Sequence, residues 1–195
     1  MHAGAFTYGD SMYVLGGFDH PDVWDDVIRA TLSKDGKLSA WTPAGKLPAP
    51  RTHLSVSIIG RHVFVAGGMA ESPYGGPPAQ PDVFRARIQD DGSLGEWVPT
   101  TPLPVPLMTQ ASFYYGGYLY VAGGIDDDPS VSRHVWRAPL DAERMLGVWE
   151  EVAPMPVSRA HVHQMPVFGN HVYATGGAKD FDLRAYGEVH VGTFE

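Results

Sequence analysis

The chain has 195 residues, of which 44% are hydrophobic and 18% charged, and its formal net charge at pH 7 is −8. This apolar content excludes a disordered chain, and 23 glycines and 17 prolines are too many for long helices. The acidic charge disfavours nucleic acid as a partner, and no run of about 18 apolar residues is present to insert into a membrane. The composition favours one domain of many short strands joined by turns.

The N-terminal segment and the cysteine content bear on the compartment. The segment MHAGAFTYGDSMYVLGG lacks a basic region followed by an uninterrupted apolar run, so we expect no signal peptide. The absence of cysteine excludes disulfides, thiolate metal sites and a cysteine nucleophile. The compartment stays open: the chain is cytoplasmic, or secreted if it is part of a longer protein.

Each quarter of the chain opens with two apolar runs that a glycine-led turn separates. These turns begin at Gly9, Gly60, Gly116 and Gly169, and each predicts a β-hairpin of two strands, A and B. Strand B carries an aromatic residue and runs into a glycine pair. The pairs recur at spacings of 51, 56 and 53 residues, as Gly16-Gly17, Gly67-Gly68, Gly123-Gly124 and Gly176-Gly177.

The second half of the unit repeats as well. Three segments align without gaps and each ends in a tryptophan: 27–41 with Trp41, 83–97 with Trp97 and 135–149 with Trp149. The turns Asp35-Gly36 and Asp91-Gly92 predict that a strand C is joined to a strand D, which carries the tryptophan. Glu143-Arg144 replaces Asp-Gly in the third copy, so we expect that turn to be of another type or less tight. A proline-bearing link follows each tryptophan and ends the strand.

These marks resemble the Kelch repeat family. The resemblance is carried by the glycine pair after an aromatic-bearing strand (YVLGG, VFVAGG, LYVAGG, VYATGG), by the later tryptophan, and by links with Arg51 or Arg159. It covers the whole chain in four copies, and Leu107 departs from it where the family often has arginine. The resemblance implies an all-β Kelch-type β-propeller of four-stranded antiparallel blades. It also implies binding more often than catalysis.

We expect one propeller domain, 1–195, with three complete blades and three strands of a fourth. The fourth unit has strand A at 160–168, strand B at 171–175 and the start of strand C near Val189. Either the chain is part of a larger propeller, which we favour, or it closes by pairing with another chain or as a four-blade ring. Open edges predict self-association. The approximate blade limits are 1–49, 50–105, 106–157 and 158–195.

We expect binding at the end of the propeller that carries the B–C loops, which are long, and the D–A links. Acidic and aromatic residues gather there, which suits a cationic protein segment or a sugar stacked on a ring. The alternative is that the carboxylates solvate loops and cap turns, and that Arg51 and Arg159 are the family's structural arginines. The candidates are Asp19, Asp22, Trp24, Asp25, Tyr74, Asp126, Asp127, Asp128, Phe181, Arg184, Tyr186, Arg51 and Arg159. The glycine pairs and the three tryptophans are expected to pack the blades.

Metal binding and cofactor chemistry have little support. His161 and His163 share a face of a predicted strand, but a third ligand among His2, His53 and Glu188 is a guess, so we expect no metal and no cofactor. The sequence contains no GxSxG, HExxH, P-loop or dinucleotide-binding glycine motif. The copper radical oxidases of this architecture need a cysteine, which the chain lacks.

The sequence therefore favours a non-catalytic module that binds a protein. The alternative is a carbohydrate-active propeller that binds or isomerises a sugar or sugar acid, as the sialic-acid mutarotases of the Kelch family do. Its site would use loop carboxylates and Arg51 or Arg159 at the mouth of the channel. A pair of carboxylates of the glycosidase type stays open as well. A third interpretation is a structural segment of a larger surface protein.

Overall fold

A computed structural model describes residues 1–70, 79–126, 130–162, 164–180 and 183–194. These residues form antiparallel meander sheets, which we call blades 1 to 4, and the all-β prediction is confirmed. Blade 1 contains β1 (Gly4–Tyr8), β2 (Ser11–Leu15), β5 (Asp26–Thr31) and β6 (Thr42–Lys46), with a separate hairpin of β3 (Phe18–Asp19) and β4 (Asp22–Val23) in its B–C loop. Blade 2 contains β7 (Ser55–Ile59), β8 (His62–Ala66), β9 (Val83–Arg87) and β10 (Val98–Thr100).

Blades 3 and 4 continue the same strand order. Blade 3 contains β11 (Ala111–Tyr115), β12 (Tyr118–Ala122), β13 (Val135–Pro139) and β14 (Glu150–Val152), and blade 4 contains β15 (Val167–Phe168), β16 (His171–Thr175) and β17 (Val189–Thr193). Strands A of neighbouring blades contact one another, so they form the inner side of the arrangement. None of the described residues belongs to a helix that could cross a membrane. The division of the chain into the blade limits given above stays a prediction.

The hydrophobic cores lie between the blades. Successive side chains of a strand point to opposite faces, and β8 shows the consequence. Val63 and Val65 pack into the core shared with blade 1, whereas Phe64 and Ala66 pack into the core shared with blade 3. A central strand therefore alternates between two cores, and β8 is apolar from Val63 to Ala66 although it belongs to an antiparallel sheet. A third core joins blades 3 and 4.

Three local expectations are corrected. Strand A of blade 4 is confined to Val167–Phe168, because its earlier part forms only isolated bridges, such as Ala160 with Ala178. Each tryptophan lies one residue before strand D rather than on it. The turn at Arg144 is the same as its Asp-Gly counterparts: Arg144 takes a φ of 64°, its N–H donates to Asp141 O, and Asp141 Oδ1 accepts the N–H of Met145 at 2.7 Å. An arginine thus adopts the conformation that glycine takes in the other copies.

The glycine pairs lie where the next link crosses the blade. The second glycine donates its N–H to a link carbonyl at 2.8 Å: Gly17 to Arg51, Gly68 to Leu107 and Gly124 to Arg159. A Cβ on the first glycine would collide with that same oxygen, as at Gly16 and Gly123. The pair is therefore needed for close approach of two backbones.

Gly123→Ala and Gly176→Ala form a matched pair that tests this close approach. Both glycines have φ near 60°, but a Cβ at Gly176 meets nothing within 4 Å. Left-handed strain alone costs about 1–2 kcal/mol, and a collision with backbone adds about 1–3 kcal/mol. We expect Gly123→Ala to lower the free energy of unfolding well beyond Gly176→Ala in urea denaturation. Equal losses would contradict the role assigned to the link.

Candidate functional site

The B–C loops and the D–A links meet at one end of the blades, which we call the loop face. The Arg51 N–H donates to Trp24 O at 3.0 Å, and the Arg159 N–H donates to Ser132 O at 2.9 Å. Each of these links is thus bonded to the B–C loop of the blade that precedes it. Loops held in this way by rigid sheets can present side chains in a fixed arrangement.

The blade 1 part of the loop face is acidic and aromatic. The hairpin β3–β4 carries Asp19 and Asp22, both exposed, and Trp24 follows it with 46% of its surface accessible. Asp25 is engaged by Lys46, whose Nζ donates to Asp25 Oδ1 at 2.9 Å. That bond raises the pKa of Lys46. The exposed acids beside an exposed indole suit a cationic segment of a partner.

The part of the loop face formed by blades 3 and 4 contains a cluster of cations that the sequence reasoning identified only in part. Arg133, Lys179 and Arg184 surround Tyr186 in an open concavity of about 470 Å³. The Lys179 Nζ lies 5.4 Å from the centre of the Tyr186 ring, and Arg184 forms an ion pair with Asp180 at 2.6 Å. The sequence search followed acids and aromatic residues, so Arg133 and Lys179 passed unnoticed although they belong to the same loops. The loop face therefore carries exposed acids beside Trp24 at blade 1, and cations together with Asp180 around Tyr186 at blades 3 and 4.

The remaining loop candidates are only partly located. Asp126 accepts a hydrogen bond from Ser130 Oγ at 3.3 Å, within its own loop. Four candidates, Tyr74, Asp127, Asp128 and Phe181, lie outside the described residues, as does His163.

The two link arginines are buried against their own blade. Arg159 is 1% exposed and donates to the carbonyls of Gly176 and, at 3.4 Å, Glu188. Its guanidinium also lies 4.5 Å from the centre of the Tyr186 ring. Arg51 donates to Asp82 Oδ2 at 3.2 Å. Both guanidinium groups tie the start of a blade to the end of its B–C loop, which favours a structural role over contact with a ligand.

Three histidines converge on the inner side of the blades. The rings of His2 and His53 are stacked with centroids 4.0 Å apart, and the His161 ring lies 5.8 and 6.1 Å from them. Stacked rings present their faces, rather than their nitrogens, to each other. Within the described ranges, no group of three or more His, Asp or Glu side chains is arranged to hold a metal ion.

Two carboxyl groups with a shifted pKa, those of Asp35 and Asp91, lie away from the loop face. Hydrogen bonds from Lys37 and Ser33 lower the pKa of Asp35, and hydrogen bonds from Ser93 lower the pKa of Asp91. Both residues belong to C–D turns at the opposite end of the blades. A lowered pKa keeps a carboxylate ionised, whereas a general acid needs a raised one.

Comparisons with known proteins agree with this architecture. No family model matches the chain. It is 26% identical to beta-scruin of Limulus polyphemus over 182 residues, covering 91% of this chain and 19% of that protein. It is 26% identical to Kelch-like protein 36 of Rattus norvegicus over 189 residues, covering 75% of this chain and 30% of that protein. It is 30% identical to Kelch-like protein terF of Aspergillus terreus over 125 residues, covering 63% of this chain and 26% of that protein.

A solved structure has the same fold. The structure of YjhT matches with a TM-score of 0.76 and 14% identity, covering all of this chain and 66% of the other. The chain thus spans less than a third of the curated relatives named above. The meander sheets, their shared cores and this match define a β-propeller whose blades do not close into a ring within the described residues. Its repeats are similar to those of these Kelch proteins, and together with the match to the solved structure they support a Kelch-type propeller.

Arg159→Leu tests the structural role of the link arginine. Leucine occupies the equivalent position 107, where it is buried. At position 159 the change leaves the Gly176 and Glu188 carbonyls without their charged donor, so we expect a loss of about 2 kcal/mol in the free energy of unfolding. Arg133→Leu, an exposed arginine at the same end, is the control and should change stability by less than about 0.5 kcal/mol. An unchanged denaturation midpoint for Arg159→Leu would contradict the structural role of Arg159 and favour a role in binding instead.

Proposed function

We propose that the protein is a non-catalytic module that binds a protein partner through its loop face. The observation that carries the proposal is the exposed Trp24 beside Asp19 and Asp22, held on a short hairpin by a rigid blade. Exposed tryptophans are frequent anchors of protein interfaces, and flanking carboxylates favour a cationic segment. The similarity to Kelch-like proteins supports binding.

The opposite end of the loop face adds a second requirement for the partner. Arg133 and Lys179 lie at blades 3 and 4, whereas the exposed acids lie at blade 1. A partner that covers the whole face therefore meets exposed acids at blade 1 and, at blades 3 and 4, two cations beside the Arg184–Asp180 ion pair. Such a pattern sets the orientation of binding as well as its strength.

The triple variant Asp19→Asn/Asp22→Asn/Trp24→Ala tests this proposal against Trp41→Ala. Both tryptophans belong to blade 1 and are similarly exposed, at 46% and 42%, but Trp41 lies outside the loop face. Proteins captured from the source organism by the wild-type chain are identified by mass spectrometry, and binding of the purified partner is measured by calorimetry. We expect the triple variant to bind at least about tenfold more weakly, which is about 1.4 kcal/mol. Loss of binding in Trp41→Ala alone would contradict the assignment.

A specific observation also favours a second function, the binding or isomerisation of a sugar acid. The concavity of about 470 Å³ combines an aromatic ring, Tyr186, with the cations Arg133 and Lys179. Its volume lies within the usual range of small-molecule pockets, and a ring with cations suits a carboxylate-bearing sugar.

Saturation-transfer NMR with sialic acid, and with galactose as the neutral control, tests this second function. If the concavity is the site, sialic acid gives a signal that galactose does not, and Arg133→Gln/Lys179→Gln weakens it at least about fivefold, because two charge-assisted bonds are lost. Faster exchange between the two anomers in the presence of the chain would show catalysis. The absence of any signal up to about 10 mM sugar would refute the second function and leave the protein-binding proposal untouched.

A further inference from the structure

A group of positively charged side chains lies between blades 2 and 3, at the end of the blades opposite to the loop face. Its members come from the start of β8, the end of β9 and the turn between strands C and D of blade 3. They are His62, Arg85, Arg87 and Arg144, which we call the histidine–arginine cluster. Both blades have all four strands in the structure, so the cluster belongs to the interior of the repeat array.

The pairing of β8 with β9 places three of these side chains on one face of blade 2. His62 lies directly opposite Arg87 in the register, and Phe64 lies opposite Arg85. Residues that face each other in an antiparallel pair share a face of the sheet, as do residues two apart on one strand. Phe64 packs into the core shared with blade 3, so this face is turned towards blade 3.

Blade 3 contributes Arg144 from its turn between strands C and D. This turn lies against blade 2, because the Sδ of Met145 accepts a hydrogen bond from Arg85 Nε at 3.1 Å. Between blades 1 and 2 the equivalent turn residue is Gly92, and a Cβ there would collide with the guanidinium of Arg29, the counterpart of Arg85. The replacement of glycine by arginine thus brings a second guanidinium to a turn that already lies against one.

The charges of the cluster act on one another. The pKa of His62 is lowered first by burial and then by the positive charges of Arg85, Arg144 and Arg87. Within the described part of the chain, none of these three arginines forms an ion pair with a carboxylate. Like charges that lie opposite each other in a sheet are destabilising, and a bound anion would offset this repulsion.

The acids of the neighbouring turns are directed elsewhere. Asp90 forms an ion pair with Arg61 at 2.6 Å. Asp141 Oδ1 accepts the N–H of Met145 at 2.7 Å, within its own turn. Glu143 is exposed and forms no ion pair within the described ranges. The protein therefore gathers these cations without providing a carboxylate that pairs with them.

The cluster is specific to one of the four copies of the repeat. If its side chains served only to pack the repeat, similar residues would be expected at the equivalent positions of the other blades. The pairs equivalent to His62 and Arg87 are Ser11 and Thr31 in blade 1, Tyr118 and Pro139 in blade 3, and His171 and Thr193 in blade 4. The combination of a histidine opposite an arginine, beside an arginine in the turn, thus favours a function of this one position.

We propose that the histidine–arginine cluster binds a phosphate group. Guanidinium groups present planar forks of N–H donors that match phosphate oxygens, and an imidazole adds a donor whichever ring nitrogen carries the proton. Arg85 uses its Nε on Met145, which leaves its two terminal NH₂ groups for the ligand. Arg87 is exposed and the other members are half-buried, so a phosphate reaches the cluster from solvent and meets partly desolvated charges. The phosphate arrives free or on a phosphorylated side chain.

Inorganic phosphate is the first probe, titrated into the full chain while NMR follows the imidazole signals. The signal of His62 is assigned by its loss in His62→Gln, and sodium chloride at the same ionic strength is the reference. We expect saturation below about 10 mM phosphate. The pKa of His62 should rise on binding, because a nearby anion favours the charged imidazole. An equal response to chloride, or no saturation, overturns the proposal.

Arg144→Gly removes one guanidinium from the cluster and preserves the turn, because glycine takes the same positive φ at positions 36 and 92. We expect this variant to bind phosphate at least about fivefold more weakly, since a charge-assisted hydrogen bond is lost. Arg29→Gln changes the net charge by the same amount on the equivalent strand of blade 1, and its affinity should stay within about twofold of wild type. Unchanged binding in Arg144→Gly, or equal weakening in both variants, contradicts the proposal.

Two further probes distinguish the source of the phosphate: the pentapeptide Gly-Gly-phosphoserine-Gly-Gly and the same peptide without its phosphate. Binding of the phosphorylated peptide alone, lost in Arg144→Gly, supports the proposal and assigns the cluster to a phosphorylated side chain. Binding of inorganic phosphate but of neither peptide supports the proposal and assigns the cluster to free phosphate. Equal binding of the two peptides shows that the phosphate is not recognised, and it overturns the proposal.

Discussion

The carbonyl oxygen of a link residue lies against the glycine pair of the preceding blade, in the space that a Cβ on the first glycine would occupy. This close approach places each blade against the next, because one N–H of the pair bonds the same carbonyl at 2.8 Å. The cores between blades, the burial of the link arginines and the fixed position of the loops all depend on it. A repeat protein of this kind is stabilised mainly by contacts between neighbouring units. The backbone approach decides how near those units can come.

A second contact, made by the leucine and tryptophan before strand D, joins neighbouring blades on their outer side. The leucine and tryptophan reach back to the preceding blade, where their side chains pack into the shared core and the N–H groups of Leu94, Trp97 and Trp149 bond its backbone. A unit is therefore not an independent packing layer. Trp41 differs from the expectation that all three tryptophans pack between blades: it is exposed, since the described residues place no blade in front of blade 1. Trp97 and Trp149 pack against a preceding blade, whereas Trp41 is exposed because none is described before blade 1.

Much of the fold could be predicted from the sequence because its signals are local. Turn glycines, glycine pairs and tryptophans in phase gave the four units, the hairpins and the strand order. The turn at Arg144 could not be predicted, because arginine rarely adopts a positive φ and the turn is closed by hydrogen bonds to Asp141, three residues earlier. The short strand A of blade 4 could not be predicted either, since its pairing depends on contacts across blades. On the loop face, the sequence predicted Trp24, its neighbouring acids, Arg184 and Tyr186 as candidates, but Arg133 and Lys179 join the cluster around Tyr186 only when residues from two blades meet.

The uneven charges of the loop face have a consequence for how molecules approach it. The exposed acids at blade 1 add to the anionic charge of the chain, whereas the cations around Tyr186 form a local positive patch. An unevenly charged face turns an incoming charged body about the axis of approach before contact is made. Dissolved salt weakens this alignment over a distance of about 10 Å and leaves short-range contacts largely intact. Ionic strength therefore controls the rate of productive encounters more than the lifetime of the complex that they form.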